Sequence, residues 1–123
     1  MANDSYQILI VSASTAAEEL KLRLVENGFI AIEIIDYDRV FDHIRHRLPD
    51  LILLTKQAGH SSLLLTSKIA RQYPMIPIVM VATEIHGETL REHLEAGATD
   101  YIYYHGAEKE LLSFVVRQNL ELR

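Results

Sequence analysis

Five short apolar runs, each separated from the next by a longer amphipathic segment, constrain this chain more than any other feature. They are Gln7-Ile8-Leu9-Ile10-Val11, Ile30 to Ile35, Leu51-Ile52-Leu53-Leu54, Ile78-Val79-Met80-Val81 and Tyr101-Ile102-Tyr103-Tyr104. Successive side chains of a strand point to opposite faces, so an unbroken apolar run suits a strand buried on both sides. The segments between them carry helical signals. Thr15-Ala16-Ala17-Glu18 has capping-box spacing, Ala17, Leu20 and Leu24 share one helical face, and Asn27-Gly28 supplies a stop. Asp36 and Asp38 are placed to cap a second helix carrying Val40, Phe41, Ile44 and Leu48, with Pro49 after its end. Lys56 to Ser61, containing Gly59, reads as a loop. A third helix is expected from about Ser62 to Tyr73, before the turn bracketed by Pro74 and Pro77. A fourth is expected from His86 to Ala96, closed by Gly97, and a fifth from about Ala107 to the last residue.

Strict alternation with short connections implies a parallel sheet with helices on both faces. In such folds the functional groups gather at the carboxyl ends of the strands. At 123 residues the chain is expected to be one α/β domain over its whole length. It is large enough to fold without a metal or disulfide staple.

Composition removes several function classes. Twelve Lys and Arg against seventeen Asp and Glu give a net charge of −5, against the basic face expected of a nucleic-acid binder. The absence of Cys removes thiol nucleophiles and Cys-ligated metals. No run reaches the length of a membrane span, and Met-Ala-Asn-Asp-Ser does not open like a signal peptide. The expectation is a cytoplasmic domain with neither nucleic acid nor membrane as a partner and no implied cofactor.

Four segments then carry a resemblance. Ile8-Leu9-Ile10-Val11, Leu48-Pro49-Asp50-Leu51-Ile52-Leu53-Leu54, Ile76-Pro77-Ile78-Val79-Met80-Val81 and Ala96-Gly97-Ala98-Thr99-Asp100-Tyr101-Ile102 stand in the order and spacing of the receiver domain of two-component response regulators. The last closely follows that family's Ala-Gly-Ala-x-Asp-Tyr-Leu. The chain resembles a receiver over nearly its full length. The resemblance implies a flavodoxin-like, doubly wound, five-stranded (βα)5 sheet, and Tyr101 falls at the family's aromatic switch position.

The resemblance also implies a phosphorylation site, and here the chain departs from the family. Ser12 and Ala13 stand where a receiver has its acidic Mg²⁺-binding pair, and Thr55 stands at the phosphoacceptor Asp. Ala82 replaces the Thr or Ser ending the fourth strand, and Tyr104-His105 replaces Lys-Pro after the fifth. The loop after the phosphoacceptor, Ala58-Gly59-His60-Ser61-Ser62-Leu63, lacks the family's Pro, Asp and Gly at their places. Phosphoryl transfer to a carboxylate needs the nucleophile, a hard cation and charge-stabilising donors together. The expectation is a degenerate, phosphorylation-independent pseudo-receiver, not an enzyme, with no metal and no catalytic residue. Such a domain acts through a protein partner or a following effector domain.

Other residues invite functional readings beside blander ones. A hydroxyl at Thr55 has no visible general base and is expected to fill the vacated pocket with a hydrogen bond. His60, His86 and His105 fall in loops on the functional edge, yet without the tight spacing of a metal site; His43 and His46 read as solvated. Tyr101 and Tyr103 share one side of the last strand and offer an aromatic partner surface or ordinary packing. Tyr104 points the other way and is expected to plug the former site. On the last helix, a step of about 100° per residue spreads Phe114, Leu111, Leu122, Val115, Leu112, Val116 and Leu120 over an arc of about 240°, with Glu110, Ser113, Arg117 and Glu121 as the polar strip. A sheet covers little more than 100° of a helix. Either Phe114 or the Val116/Leu120 pair is therefore expected to stay exposed, for self-association or for contact with a following domain. Two alternatives remain open: a small-ligand-binding flavodoxin-like domain, and a receiver phosphorylated at an unusual carboxylate such as Asp100 or Glu84.

Overall fold

The computed structural model describes residues 6–12, 16–55, 61–82, 87–104 and 109–122. The apolar runs form strands β1 (Gln7–Val11), β2 (Ala31–Ile35), β3 (Leu51–Thr55), β4 (Ile78–Ala82) and β5 (Asp100–Tyr103). Helices α1 (Ala16–Glu26), α2 (Val40–His46), α3 (Ser62–Gln72), α4 (Gly87–Ala96) and α5 (Lys109–Leu122) alternate with them. The strands pair in parallel in the order β2-β1-β3-β4-β5, the flavodoxin-like arrangement expected from the alternation.

Register and pleat sort the core into two layers. Ile10 lies beside Leu53, and Leu53 beside Val79. Together with Ile8, Val81 and Ile102 they face Ala17, Leu20 and Leu24 of α1 and Leu112, Val116 and Leu120 of α5. The intervening residues Leu9, Val11, Ile52, Leu54, Ile78 and Met80 face Val40 and Ile44 of α2 and Leu65 and Ile69 of α3. β3 and β4 are buried along their whole length, which is why their sequences are apolar at every position rather than at every second one.

Two glycines end helices as the sequence implies. After α1, Gly28 takes φ 93° and donates to the Val25 carbonyl, while Phe29 N donates to Leu24 O at 3.0 Å. After α4, Gly97 takes φ 124°, and Ala98 N donates to His93 O at 2.9 Å. Both are Schellman closures, in which a left-handed residue turns the chain back to satisfy the last carbonyls.

The start and end of α2 differ from expectation. Neither Asp36 nor Asp38 caps it: the chain enters through a 3-10 turn over Tyr37–Arg39, α2 begins after Arg39, and no side-chain cap bond forms at Asp36 or Arg39. The turn carries Tyr37 into the core, and that burial sets the entry angle. Arg47 is already extended, so Leu48 leaves the helical face and is exposed. A residue preceding proline avoids the helical region, so Pro49 acts one residue earlier than the apolar pattern suggests. Ser61, not singled out in the sequence, caps α3 by accepting from Leu64 N at 3.1 Å. Thr15, the Lys56–His60 part of the expected loop, His86 and Ala107 lie outside the described residues. Among the described residues no helix is long and apolar enough to cross a membrane.

Gly97 also sits where α4 approaches α3 closely. A Cβ built on it would stand 2.3 Å from Ala70 Cβ, far inside contact distance. Gly97→Ala combines that overlap with a left-handed backbone, and is expected to lower stability by about 2–4 kcal/mol in urea unfolding. Adding Ala70→Gly should recover the overlap and leave the backbone strain, so the two substitutions should be clearly non-additive.

Candidate functional site

Ser12, Thr55, Ala82 and Tyr104 come together along the carboxyl edge of the sheet, at or just past the ends of β1, β3, β4 and β5. Ala13 lies outside the described residues. Ser12 N donates to Ile35 O at 2.9 Å, and Tyr104 N extends the β4–β5 ladder by donating to Ala82 O at 2.8 Å. Thr55 is buried, and its hydroxyl makes a long 3.4 Å contact to the Val11 carbonyl. None of these four side chains is a carboxylate or an amine. None of the four offers Mg²⁺ an oxyanion ligand or a transferring phosphoryl group a cation.

Tyr104 does not plug that edge in the way its sequence position suggests. It is only 5% exposed, and its ring packs in the layer with α1 and α5. Its hydroxyl lies within electrostatic reach of the Arg23 guanidinium on α1. Arg23 is held above its ordinary pKa chiefly by its hydrogen bond and ion pair with Glu26 at 2.9 Å, and Tyr104 adds to this in smaller measure. The ring turns inward because the pleat puts residue 104 on the same side as Ile102, where apolar partners await it.

The opposite face of this edge holds polar groups that the sequence reading passed over. Tyr37 donates its hydroxyl proton to the Thr55 carbonyl at 2.5 Å, and Ser62 lies near enough to influence the same hydroxyl. Ser62 Oγ lies 2.9 Å from His93 Nε2. His93, on α4, sets its ring edge-on to Tyr101, with centroids 6.4 Å apart and planes at 69°. Burial pushes the Tyr37 hydroxyl up to about 12, against the milder lowering effect of Ser62, and burial raises Tyr101 as well. A signal for His93 does exist in the sequence. With Leu90 and Gly97 it falls on one helical stripe, while Leu94 points outward, so a histidine takes a core position of α4.

The remaining candidates separate by exposure. On β5, Tyr101 is half-buried and Tyr103 exposed. On α5 the buried arc centres on Val116, so Val116 and Leu120 belong to the core and not to an interaction face. Phe114, 57% exposed, and Leu111, 47% exposed, are left outside. Ser113 is not part of a solvated strip either: at 3% exposure it lies beside Leu120 in the buried arc. The helical wheel gave the width of the apolar arc but not the direction of the sheet. His46 is exposed and His43 half-buried, while His60, His86, His105 and Glu84 lie outside the described residues. Asp100 opens β5, so it stands at the opposite edge of the sheet. There its Oδ1 accepts from Tyr101 N and its Oδ2 from Asn119 Nδ2. That position argues against Asp100 as an alternative phosphoacceptor. Among the described residues no group of three His, Asp or Glu could hold a metal ion.

The buried Tyr37 generates a pH prediction. Its folded pKa, about 12, exceeds the ordinary tyrosine value near 10. Its contribution is therefore complete below about pH 10 and is lost as pH rises from about 10 towards 12, where the unfolded chain ionises first. Urea unfolding should show a loss of about 2 kcal/mol across that interval. In Tyr37→Phe the loss should flatten to the smaller slope left by Tyr101.

No protein-family model matches the chain. Over 111 residues, 87% of the chain, it is 33% identical to the phosphate regulon transcriptional regulatory protein PhoB of Klebsiella pneumoniae, of which the match covers 48%. The chain thus spans about half the length of the curated relatives it matches. The solved receiver domain of NtrX from Brucella abortus superposes with a TM-score of 0.82 at 27% identity, covering 95% of this chain and all of that one. A response regulator from Thermotoga maritima shares the fold, with a TM-score of 0.83 at 20% identity over 94% of this chain and 98% of that one. In fold and in sequence the chain is similar to the receiver domains of response regulators.

Proposed function

We propose that the chain is a pseudo-receiver: a signalling domain that works through protein contacts without being phosphorylated at the end of β3. One observation carries this reading. At the described positions that correspond to the phosphorylation site, Ser12, Thr55, Ala82 and Tyr104 supply neither carboxylate nor amine, and the Thr55 hydroxyl is directed at a backbone carbonyl. One replacement is open to rescue by a neighbour; simultaneous loss of nucleophile, metal ligand and cation is not. On this reading the domain is a binding module rather than an enzyme, and it needs no metal or cofactor. It serves a cytoplasmic two-component-type system, with neither nucleic acid nor membrane as its own partner. The matched relatives are about twice as long, and PhoB and BaeR are named as transcriptional regulatory proteins. That supports a following effector domain in the full protein. Tyr103, Leu94 and Phe114 supply exposed apolar area on β5, α4 and α5 for a partner, an effector domain or a second copy.

Acetyl phosphate with millimolar Mg²⁺, followed by intact mass measurement, tests the reading. No phosphoryl group should be gained, and Thr55→Asp alone should gain none, because the metal ligands and the amine remain absent. A phosphoryl adduct that disappears when its carboxylate is substituted would overturn it.

Self-association through α5 has its own test. If the wild type associates at high micromolar concentration, Phe114→Glu should weaken that by about tenfold or more in sedimentation equilibrium, the scale of losing one buried aromatic anchor. A wild type that stays monomeric excludes self-association through α5. Leu120→Glu should instead unfold the domain, since it places a carboxylate in the core.

A further inference from the structure

Charge is unevenly placed along this chain. Residues 43–83 carry Arg45, Arg47, Lys56, Lys68 and Arg71 against the single carboxylate of Asp50, a net of +4 with His neutral, although the whole chain is at −5. The fold gathers part of this imbalance onto two helices that cover opposite sides of the sheet, α1 on one and α3 on the other. Buried Ser62, Leu65, Thr66 and Ile69 turn α3 inward, which leaves Leu64, Lys68 and Arg71 on its exposed stripe. Buried Ala17, Leu20 and Leu24 do the same for α1. Its exposed stripe is Glu18, Leu22 and Val25, flanked by the exposed Glu19 and Glu26. Leu22 is 51% exposed and Leu64 54%, so neither spends its apolar surface on the core.

The two stripes match in sign and in spacing. Glu18 to Val25 and Leu64 to Arg71 are equal intervals along a helix, each about 10 Å at 1.5 Å of rise per residue. Laid antiparallel, the two helices bring Glu18 to Arg71 and Val25 to Leu64. Leu22 then falls against the aliphatic stem of Lys68, which covers it while the ammonium group turns towards the α1 carboxylates. Like stripes do not match. A contact of α1 with α1 would oppose Glu to Glu, and one of α3 with α3 would oppose cation to cation.

We infer that the acidic stripe of α1 on one copy of this chain docks on the basic stripe of α3 on the next. The stripes lie on opposite sides of the sheet, so the contact is head-to-tail. Each copy keeps one stripe of either sign for a further neighbour, and a two-fold axis does not close the assembly. A single pair of helices buries less than the roughly 1,200 Å² at which stable interfaces begin, so the association is weak and reversible. Its charges sit around a small apolar centre and are screened by salt. The contact uses neither the Thr55 edge nor Phe114, and it stands independently of the pseudo-receiver reading.

Sedimentation equilibrium on the Phe114→Glu chain, which removes the α5 route, tests the contact. At low salt and concentrations approaching millimolar, the average mass should climb past that of a dimer. Raising the salt well above physiological strength should weaken the association by about tenfold. Glu18→Lys with Glu19→Lys, and separately Lys68→Glu with Arg71→Glu, should each weaken it about tenfold or more at low salt. An equimolar mixture of the two double variants should recover it, because each stripe then meets one of opposite sign. A chain that stays monomeric, a mass that levels off at a dimer, or a mixture that does not recover would overturn the inference. If a double variant does not fold, Leu22→Gln and Leu64→Gln decide in its place. Both change exposed side chains without changing charge, and each should weaken the association; an unchanged association would overturn the inference. Its failure leaves the pseudo-receiver reading untouched, and a phosphoryl adduct from acetyl phosphate leaves the contact untouched.

Discussion

The burial of β3 on both faces governs the rest of the molecule. Each of its residues is covered by a helix layer above or below and flanked by β1 and β4. With close packing on either side, no side chain along it has room to reach a ligand. Chemistry is confined to the point where the strand runs out, at Thr55. Whatever the chain does with a receiver fold must be done by the side chains at that edge and by the helices that lean on it. Replacing a few edge residues therefore changes the function available without disturbing the sheet.

The edge positions are filled in different ways. Thr55 turns its hydroxyl to a neighbouring strand, while its own carbonyl receives the Tyr37 proton. Tyr104 sends its ring down into the layer with α1 and α5, towards Arg23. These contacts are local solutions to the same problem. Polar atoms buried at a strand end must be satisfied by the groups that stand beside them.

Much of the fold was legible in the sequence because it depends on local period. Apolar runs of four and five residues specify strands, and Gly28 and Gly97 mark helix ends through a backbone requirement that other residues meet poorly. Of the candidate site, the sequence displays the residue types at its positions and not the contacts they make. What escaped depends on partners distant in the chain. Tyr37 reaches Thr55 and His93 reaches Ser62, and no periodicity encodes either contact. The same holds for α5: its wheel is compatible with several orientations, and only packing against the sheet buries Val116, Leu120 and Ser113 while leaving Phe114 outside.

At Gly97 and Ala70 the helices α4 and α3 meet with no room for even a methyl group. The meeting point lies at the amino edge of the sheet, just before β5 begins and at the opposite end from Thr55. A glycine far from that edge thus acts as a gauge, setting how near two helices of one layer can come.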